Sequence, residues 1–236
     1  MDLDRIKQDV VTASHVLHQQ GVAAAFGHVS ARIAGTDTFI FPPRMSPALV
    51  RLDNLLTLDT EGHQLSGDGR PNTEFWIHAR IYAARPDVSG IVHAHPLACI
   101  ALTQIGEPHR VVHNQGGAFA GGVPEYERIG LIRSRELGDL VAQRFGGGIA
   151  VMMRGHGITT ALADVRAATV SACFLEESAD LQMRMLAAAG GDAKRIRAFT
   201  REEAELTGGQ TGPSVAAAGR AWEYYAAVAE QKPLGG

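Results

Sequence analysis

Cysteine is scarce in this sequence, and clusters of positive charge and long apolar runs are absent. The only two cysteines among the 236 residues are Cys99 and Cys173, which predicts buried free thiols in a reducing compartment rather than a disulfide framework. The formal net charge is −3, and without a basic cluster no nucleic-acid partner is expected. No apolar run approaches membrane-spanning length, and the N-terminus has no signal core. We therefore expect a cytoplasmic protein with no membrane partner.

Apolar residues make up 45% of the chain and charged residues 20%, which is typical of a globular protein. Apolar residues at helical spacing predict helices at 3–20, 74–84, 134–145, 164–189, 200–206 and 214–231. Short apolar runs bounded by glycine or proline predict strands at 26–33, 38–41, 55–59, 88–92 and 149–153. Because no repeat, linker or break in composition appears, we expect one α/β domain over residues 1–236.

Two histidines directly follow one of the predicted strands. His93 and His95 stand two positions apart, and period-two alternation places both imidazoles on one face where the strand ends. Pro96 then stops the strand and permits a helix to begin. A neutral imidazole is the commonest side-chain ligand of transition metals, so the pair predicts half of a metal site. Alternatively, the two rings cap the strand and hydrogen-bond locally.

A third histidine and a glutamate favour the metal site. His156 follows the strand at 149–153 and lies between Gly155 and Gly157, which permit close backbone approach. Three imidazoles hold a divalent cation and leave open positions, as in catalytic sites. Glu74 is either a fourth ligand or a general base beside the cation, or else it only caps its helix. His78 lies one helical turn further and is expected to support Glu74.

Four motifs in order make the chain resemble the class II aldolase/adducin-head family over nearly its full length. They are Gly27-His28-Val29-Ser30, Asn72-Thr73-Glu74, His93-Ala94-His95-Pro96 and Arg154-Gly155-His156-Gly157. The resemblance implies a three-layer α/β/α sandwich around a central mixed β-sheet. It also implies that His93, His95 and His156, with Glu74, hold one divalent metal ion per subunit. Zn²⁺ or Mn²⁺ is expected, with Fe²⁺ or Co²⁺ as further candidates. Members are usually homotetramers with sites at subunit interfaces.

The chain departs from the sugar-phosphate aldolases of that family at residues that contact the substrate. His28 stands where those enzymes have asparagine, and Arg44 replaces a glycine of their phosphate loop. Asn72 stands where they have serine. An arginine would crowd a phosphate but offers a fork for a planar carboxylate. The tyrosine that serves them as proton donor corresponds to Asn114 here.

These departures resemble the branch of the family that decarboxylates hydroxylated aromatic or pyridine dicarboxylates. We therefore predict a metal-dependent carbon–carbon lyase that decarboxylates an ortho-hydroxy aromatic or heteroaromatic (di)carboxylic acid. The ion would stabilise an enolate-like anion. Glu74 is the first candidate for the proton donor, with His28 or His113 as the second. The substrate contacts are predicted at Arg44, Asn72, Thr73, Asn114 and Gln115, with Arg44 holding a second carboxylate of the substrate.

Two other interpretations remain open. A class II aldolase cleaving a non-phosphorylated hydroxy-keto acid would use the same ion and Glu74, whereas a sugar-phosphate aldolase or epimerase fits the departures less well. A non-catalytic scaffold resembling the adducin head would keep the fold without the full set of ligands. Removal of the metal should abolish activity under the first two interpretations and change little under the third.

Overall fold

A mixed sheet of eight strands organises the computed structural model, which describes residues 2–211 and 216–231. The strands lie in the order β4-β3-β2-β1-β5-β8-β7-β6, and only β6 and β7 pair in parallel. Their bounds are β1 Gly27–Arg32, β2 Thr38–Phe41, β3 Leu56–Asp59, β4 Gln64–Ser66, β5 Gly90–Ala94, β6 Glu125–Tyr126, β7 Ala150–Met153 and β8 Gly157–Leu162.

Helices cover both faces of this sheet. Their bounds are α1 Leu3–Gln19, α2 Phe75–Ala84, α3 Leu97–Ile105, α4 Arg135–Phe145, α5 Val165–Ala188, α6 Arg201–Thr211 and α7 Ala216–Gln231. Short 3₁₀ turns lie at Pro47–Leu49, Leu52–Asn54, Asn114–Phe119 and Ala193–Arg195. No helix in the described part of the chain is both long and apolar enough to cross a membrane.

Two apolar cores lie on opposite faces of the sheet. Val92 packs with α1, α3 and α5 on one face, whereas the preceding residue Ile91 packs with α2 and α4 on the other. This alternation follows from the period of two along a strand. Every residue of β5 is buried because helices cover both of its faces. The predicted three-layer α/β/α sandwich with a mixed sheet is confirmed.

Gly90, at the start of β5, lets the long helix α5 begin against the sheet. A side chain at this position would collide with the backbone of Asp164 and Val165. Asp164 caps α5 by accepting the Ala167 N–H at 2.8 Å. The helix therefore starts at a point fixed by the central strand.

The structure differs from the predicted elements mainly near β8. The sequence pattern stopped at β7 and His156, whereas β8 continues from Gly157 as the return strand of a hairpin. Strands β4 and β6 were also not predicted, because three and two residues are too short to show a period. Helix α6 continues to Thr211, beyond the predicted end at Leu206. The predicted start of the last helix at Ser214 lies outside the described residues.

Candidate metal centre

His93 lies in β5, and His95 directly follows this strand, at the centre of the sheet. His93 pairs with His28 of β1 on one side and with Thr159 of β8 on the other. Ala94 ends the strand, and α3 begins at Leu97 after Pro96, as predicted. The Nε2 atoms of His93 and His95 face each other at 3.2 Å. Alternation along the strand has therefore brought both imidazoles to one side.

His156 reaches the same place from the turn between β7 and β8. Gly157 follows it and lies so close to the end of β5 that a side chain there would collide with the Ala94 carbonyl. The ring of His156 stacks on that of His95, with centroids 5.1 Å apart. The expected close backbone approach is therefore present at Gly157.

Glu74 precedes α2 and turns its carboxylate into the cluster. Oε1 accepts the backbone N–H of Ile132 at 2.9 Å and lies 3.5 Å from His156 Nε2. The Glu74 side chain makes no capping hydrogen bond to α2. The local turn is held instead by Asn72, whose Oδ1 accepts the Glu74 N–H at 3.0 Å. The structure therefore does not support the capping interpretation of Glu74.

Four side chains converge to form the candidate site. Glu74, His93, His95 and His156 each offer one ligand atom, and these atoms all lie within 4.8 Å of one another. His156 Nε2 is buried and, among the described residues, has no hydrogen-bond partner. A buried polar atom without a partner is costly, and coordination of a cation would satisfy it. The predicted ligand set therefore fits a divalent cation.

Burial favours the neutral forms of His93 and His95, in which they are available as ligands. Desolvation, followed by the neighbouring imidazoles, holds the pKa of His93 well below its ordinary value. Burial also lowers the pKa of His95. Burial alone would raise the pKa of Glu74, but its contacts with His156 and the Ile132 N–H lower it below the ordinary value. Neutral imidazoles and an ionised carboxylate are the forms that coordinate a cation.

Residues behind the cluster orient the imidazoles. His93 Nδ1 lies 3.1 Å from Thr159 Oγ1, and that hydroxyl points its proton toward the sulfur of Met153. Thr159 therefore accepts a hydrogen bond from His93 Nδ1, which leaves the Nε2 lone pair for the site. His95 hydrogen-bonds the backbone of Phe26.

A cavity of about 460 Å³ opens beside the cluster and is lined by Glu74, His95 and His156. The predicted substrate residues Arg44, Asn72 and Thr73 also line it, so the structure brings them to the candidate site. The remaining lining residues are Ala25, Phe26, Met45, Ser46, Leu131 and Arg133.

His28 is part of a buried hydrogen-bonded chain behind the cluster. Its Nδ1 lies 2.8 Å from His78 Nε2, His78 Nδ1 lies 2.6 Å from Ser30 Oγ, and Ser30 Oγ lies 2.8 Å from the Tyr82 hydroxyl. The ring of His28 is 5.0 Å from that of His93. The expected contact of His78 with Glu74 is replaced by bonds to His28 and Ser30, because the His78 side chain points toward the sheet.

The structure places four of the predicted residues outside this cavity. His28, His113, Asn114 and Gln115, all within the described part of the chain, do not line it. His113 Nδ1 contacts the Gln115 side chain at 3.1 Å, and the 3₁₀ turn at Asn114–Phe119 packs against α6. Their predicted contacts with the substrate stay predictions.

Sequence reasoning missed Arg133 and Leu131 among the lining residues. They stand between β6 and α4, where no motif and no clear periodicity draws attention. The position of Arg133 in a predicted loop does not indicate which cavity this residue lines.

The comparisons with known proteins agree with this geometry. Residues 8–183 match the family described as Class II Aldolase and Adducin N-terminal domain. The chain belongs to this family.

Two curated relatives have the same function in their names. The chain is 29% identical over 201 residues to 3,4-dihydroxyphthalate decarboxylase of Arthrobacter keyseri, covering 78% of this chain and 80% of that protein. It is 31% identical over 204 residues to 3,4-dihydroxyphthalate decarboxylase of Terrabacter sp. (strain DBF63), covering 79% and 84%.

Among solved structures, an aldolase II superfamily protein from Pseudomonas syringae superposes with a TM-score of 0.84 at 21% identity, covering 96% of this chain and 92% of that one. The likeness supports the fold. The predicted family and the predicted class of enzyme, a lyase, are confirmed by the family match and by relatives named as decarboxylases.

Proposed function

We propose that this protein is a metal-dependent lyase that decarboxylates an ortho-hydroxy aromatic or heteroaromatic carboxylic acid. The observation that carries the proposal is the cluster of Glu74, His93, His95 and His156 beside a cavity that also contains Arg44. Two relatives named as 3,4-dihydroxyphthalate decarboxylases support this substrate class.

The four clustered side chains would hold the divalent ion. The ion supplies a Lewis acid that stabilises negative charge developing on the substrate as the carbon–carbon bond breaks. Zn²⁺ or Mn²⁺ is our first proposal, with Fe²⁺ or Co²⁺ as alternatives, because three imidazoles and a carboxylate suit all of them.

Glu74 is our candidate for moving the proton. Its lowered pKa leaves the carboxylate ionised, so it is ready to accept the proton of the substrate hydroxyl. When the carboxyl group leaves as CO₂, the electron pair stays on the ring carbon, and Glu74 returns its proton to that carbon. Glu74 fits this role better than His28, because Glu74 lines the cavity and His28 lies behind His93. His113 would contribute only from a neighbouring subunit.

The other lining residues would hold the substrate in place. The Arg44 guanidinium offers a two-point contact for a carboxylate. Asn72 and Thr73 precede Glu74 in the same cavity wall and offer polar contacts. Asn114 and Gln115, like His113, would act on a neighbouring subunit's substrate.

A screen for CO₂ release tests the proposal directly. The protein with added Mn²⁺ or Zn²⁺ is given hydroxylated benzoic, phthalic and pyridine carboxylic acids, and CO₂ is measured. Turnover of at least one acid is expected, with loss of activity on chelation and recovery on adding the metal back. If no acid in this panel releases CO₂ and a hydroxy-keto acid is turned over, the second candidate, aldol cleavage, replaces the proposal. That candidate is favoured by the same cluster and by the Arg44 contact for a carboxylate.

The role of Glu74 has its own test. Glu74→Gln keeps the size of the side chain but cannot carry the proton, so turnover should fall by about 10²- to 10⁴-fold. Metal content is measured on the same sample, because Glu74 is also a candidate ligand. A variant that keeps both its metal and full turnover would refute the proton-transfer role.

We also propose that the protein is a cytoplasmic homotetramer with its sites at subunit interfaces. Phe26 lines the cavity yet is 71% exposed, and Leu97, just beyond His95, is 79% exposed. Large apolar side chains exposed beside a site often mark a contact surface. Light scattering on the purified protein would measure its mass in solution, and a monomer would contradict the proposal.

A further inference from the structure

Two arginines line the cavity beside the metal cluster, of which the sequence predicted only Arg44. Arg44 comes from the loop after β2, and Arg133 comes from the segment before α4. Both side chains are exposed, and neither forms an ion pair with any carboxylate of the described residues. Their guanidinium groups are therefore available to a ligand.

The backbone holds each arginine at a fixed place on the cavity wall. The Arg44 N–H donates to the Arg70 carbonyl at 2.9 Å, which joins two loops. Directly before Arg133, the Ile132 N–H donates to Glu74 Oε1 at 2.9 Å. The segment that carries Arg133 is thus bonded to the proposed proton-transfer residue itself.

The charges that line the cavity favour an anion with more than one negative group. Glu74 is the one acidic side chain among the described lining residues, against Arg44 and Arg133. Positive charge already exceeds negative charge there before a divalent cation is bound. A cavity of this sign attracts and orients anionic substrates.

The movement of electrons during decarboxylation indicates whether the arginines bind the leaving carboxylate or a second, non-reacting one. In decarboxylation the electron pair moves from the leaving carboxylate into the ring. A guanidinium bound to the leaving group would stabilise the ground state more than the transition state, and so would slow the reaction. An arginine favours the reaction when it binds a carboxylate that stays charged from substrate to product, because that contact positions the ring without opposing the loss of CO₂.

We propose that Arg133 is a specificity-determining residue that, together with Arg44, binds a second, non-reacting carboxylate. The inference rests on the proposed decarboxylase function. A dicarboxylate substrate is already suggested by the two relatives named as 3,4-dihydroxyphthalate decarboxylases, and the new assignment is the residue that binds its second carboxylate. The hydroxyl and the reacting carboxylate would face the metal cluster, and the second carboxylate would contact Arg44 and Arg133.

The test compares Arg133→Gln and Arg133→Lys with the parent protein, each loaded with Mn²⁺. The kcat/KM values are measured for a hydroxyphthalate and for the hydroxybenzoate that lacks the second carboxylate. Loss of a charge-assisted contact should lower the ratio of the two values by about 10- to 100-fold in Arg133→Gln, mainly through KM. Arg133→Lys keeps the charge without the two-point geometry and should lie between.

Arg128→Gln is the matched control, because it removes the same charge from the same segment outside the cavity. It should leave the ratio unchanged. An unchanged ratio in Arg133→Gln, or an equal fall in Arg128→Gln, would overturn the inference while leaving the decarboxylase function intact.

A binding measurement separates this inference from the function. Calorimetry compares phthalate with benzoate, neither of which can react, on the same Mn²⁺-loaded proteins. The parent should prefer phthalate, and Arg133→Gln should lose about 10-fold or more of that preference. If no acid in the panel is decarboxylated but this preference holds and depends on Arg133, the proposed function fails and the dicarboxylate site stands. No preference for phthalate in the parent overturns the site.

Discussion

At the scale of single residues, the candidate site depends on partners that stand behind the ligands. Thr159, on the strand next to His93, accepts a hydrogen bond from His93 Nδ1. The Glu74 carboxylate accepts the backbone N–H of Ile132. Each contact fixes an orientation that the ligand would otherwise lose to rotation. Two predictions belong to this scale.

Thr159→Val should weaken metal binding without unfolding the protein. Valine keeps the shape of threonine but cannot accept the His93 hydrogen bond, so affinity should fall by about 10- to 100-fold. Competition with a coloured chelator measures it. Thr160→Val is the control, since that buried hydroxyl donates to the Ala168 carbonyl at 2.8 Å, away from the cluster. Equal affinities of the two variants would contradict the supporting role of Thr159.

His109 should make the protein less stable in mild acid. Burial, followed by the electrostatic effect of the neighbouring His113, lowers the pKa of His109 to about 4 from the ordinary 6.5. The unfolded chain therefore binds the proton first, and stability present above pH 6.5 is lost as the pH falls toward 4. Between pH 7.5 and 5.5 the loss from this group is about 1.4 kcal/mol.

Urea unfolding at these two pH values measures the effect, and His109→Gln should reduce the difference by about that amount. The glutamine amide can replace the imidazole as a partner of Ser178, which lies 2.8 Å from His109 Nε2. The same pH dependence in the variant would show that His109 is not the cause.

At the scale of elements, helix α5 is hydrogen-bonded to the start of α3, directly after the histidine pair. Both carboxylate oxygens of Glu176 accept backbone N–H groups at the start of α3, from Ala98 at 2.9 Å and Cys99 at 3.0 Å. Free N–H groups at a helix start need such acceptors. The turn of Pro96, and with it His95, is thereby joined to α5.

Glu176→Ala should destabilise the protein by about 1–2 kcal/mol, because two N–H groups lose their acceptor. Metal affinity should fall as well, since the start of α3 positions His95. Urea unfolding and metal titration measure the two effects. Glu177→Ala is an exposed neighbour and should change stability by no more than about 0.5 kcal/mol. Matching values for the two variants would refute the contribution of the α3 contact.

At the scale of the whole molecule, the ligand set joins distant parts of the chain. Glu74 directly precedes α2, His93 lies in β5, His95 follows β5, and His156 lies in the β7–β8 turn. A cation bound by all four would link the start of α2 to the ends of β5 and β7. Since the unfolded chain does not present this arrangement, binding should favour the folded state.

Removal of the metal should therefore lower stability. Zn²⁺ in 100-fold excess over its dissociation constant should add about 2.7 kcal/mol to the free energy of unfolding. Unfolding curves with chelator and with added metal measure the difference. His156→Ala removes a ligand and should abolish most of it. If the free energy of unfolding of the parent protein does not change when metal is added or removed, a site formed by all four residues is contradicted.

The sequence alone determined the fold class and predicted the candidate ligand set, because both depend on local patterns. The order of residues shows each of the local patterns: two histidines at strand spacing, a glutamate before a helix, and a histidine between glycines. The motifs that carry the family resemblance cover the same places. Prediction of a single domain over residues 1–236 stays a prediction.

Only the tertiary structure decided what surrounds those ligands. The order of strands puts β5 between β1 and β8, and so brings Thr159 to His93 across 66 residues of sequence. It also placed His28 behind the cluster and Arg133 in the cavity. Such contacts depend on how distant segments pack against one sheet, which local spacing does not encode. The candidate metal ligands could therefore be predicted from the sequence, whereas the shape and charge of the cavity beside them depend on the fold.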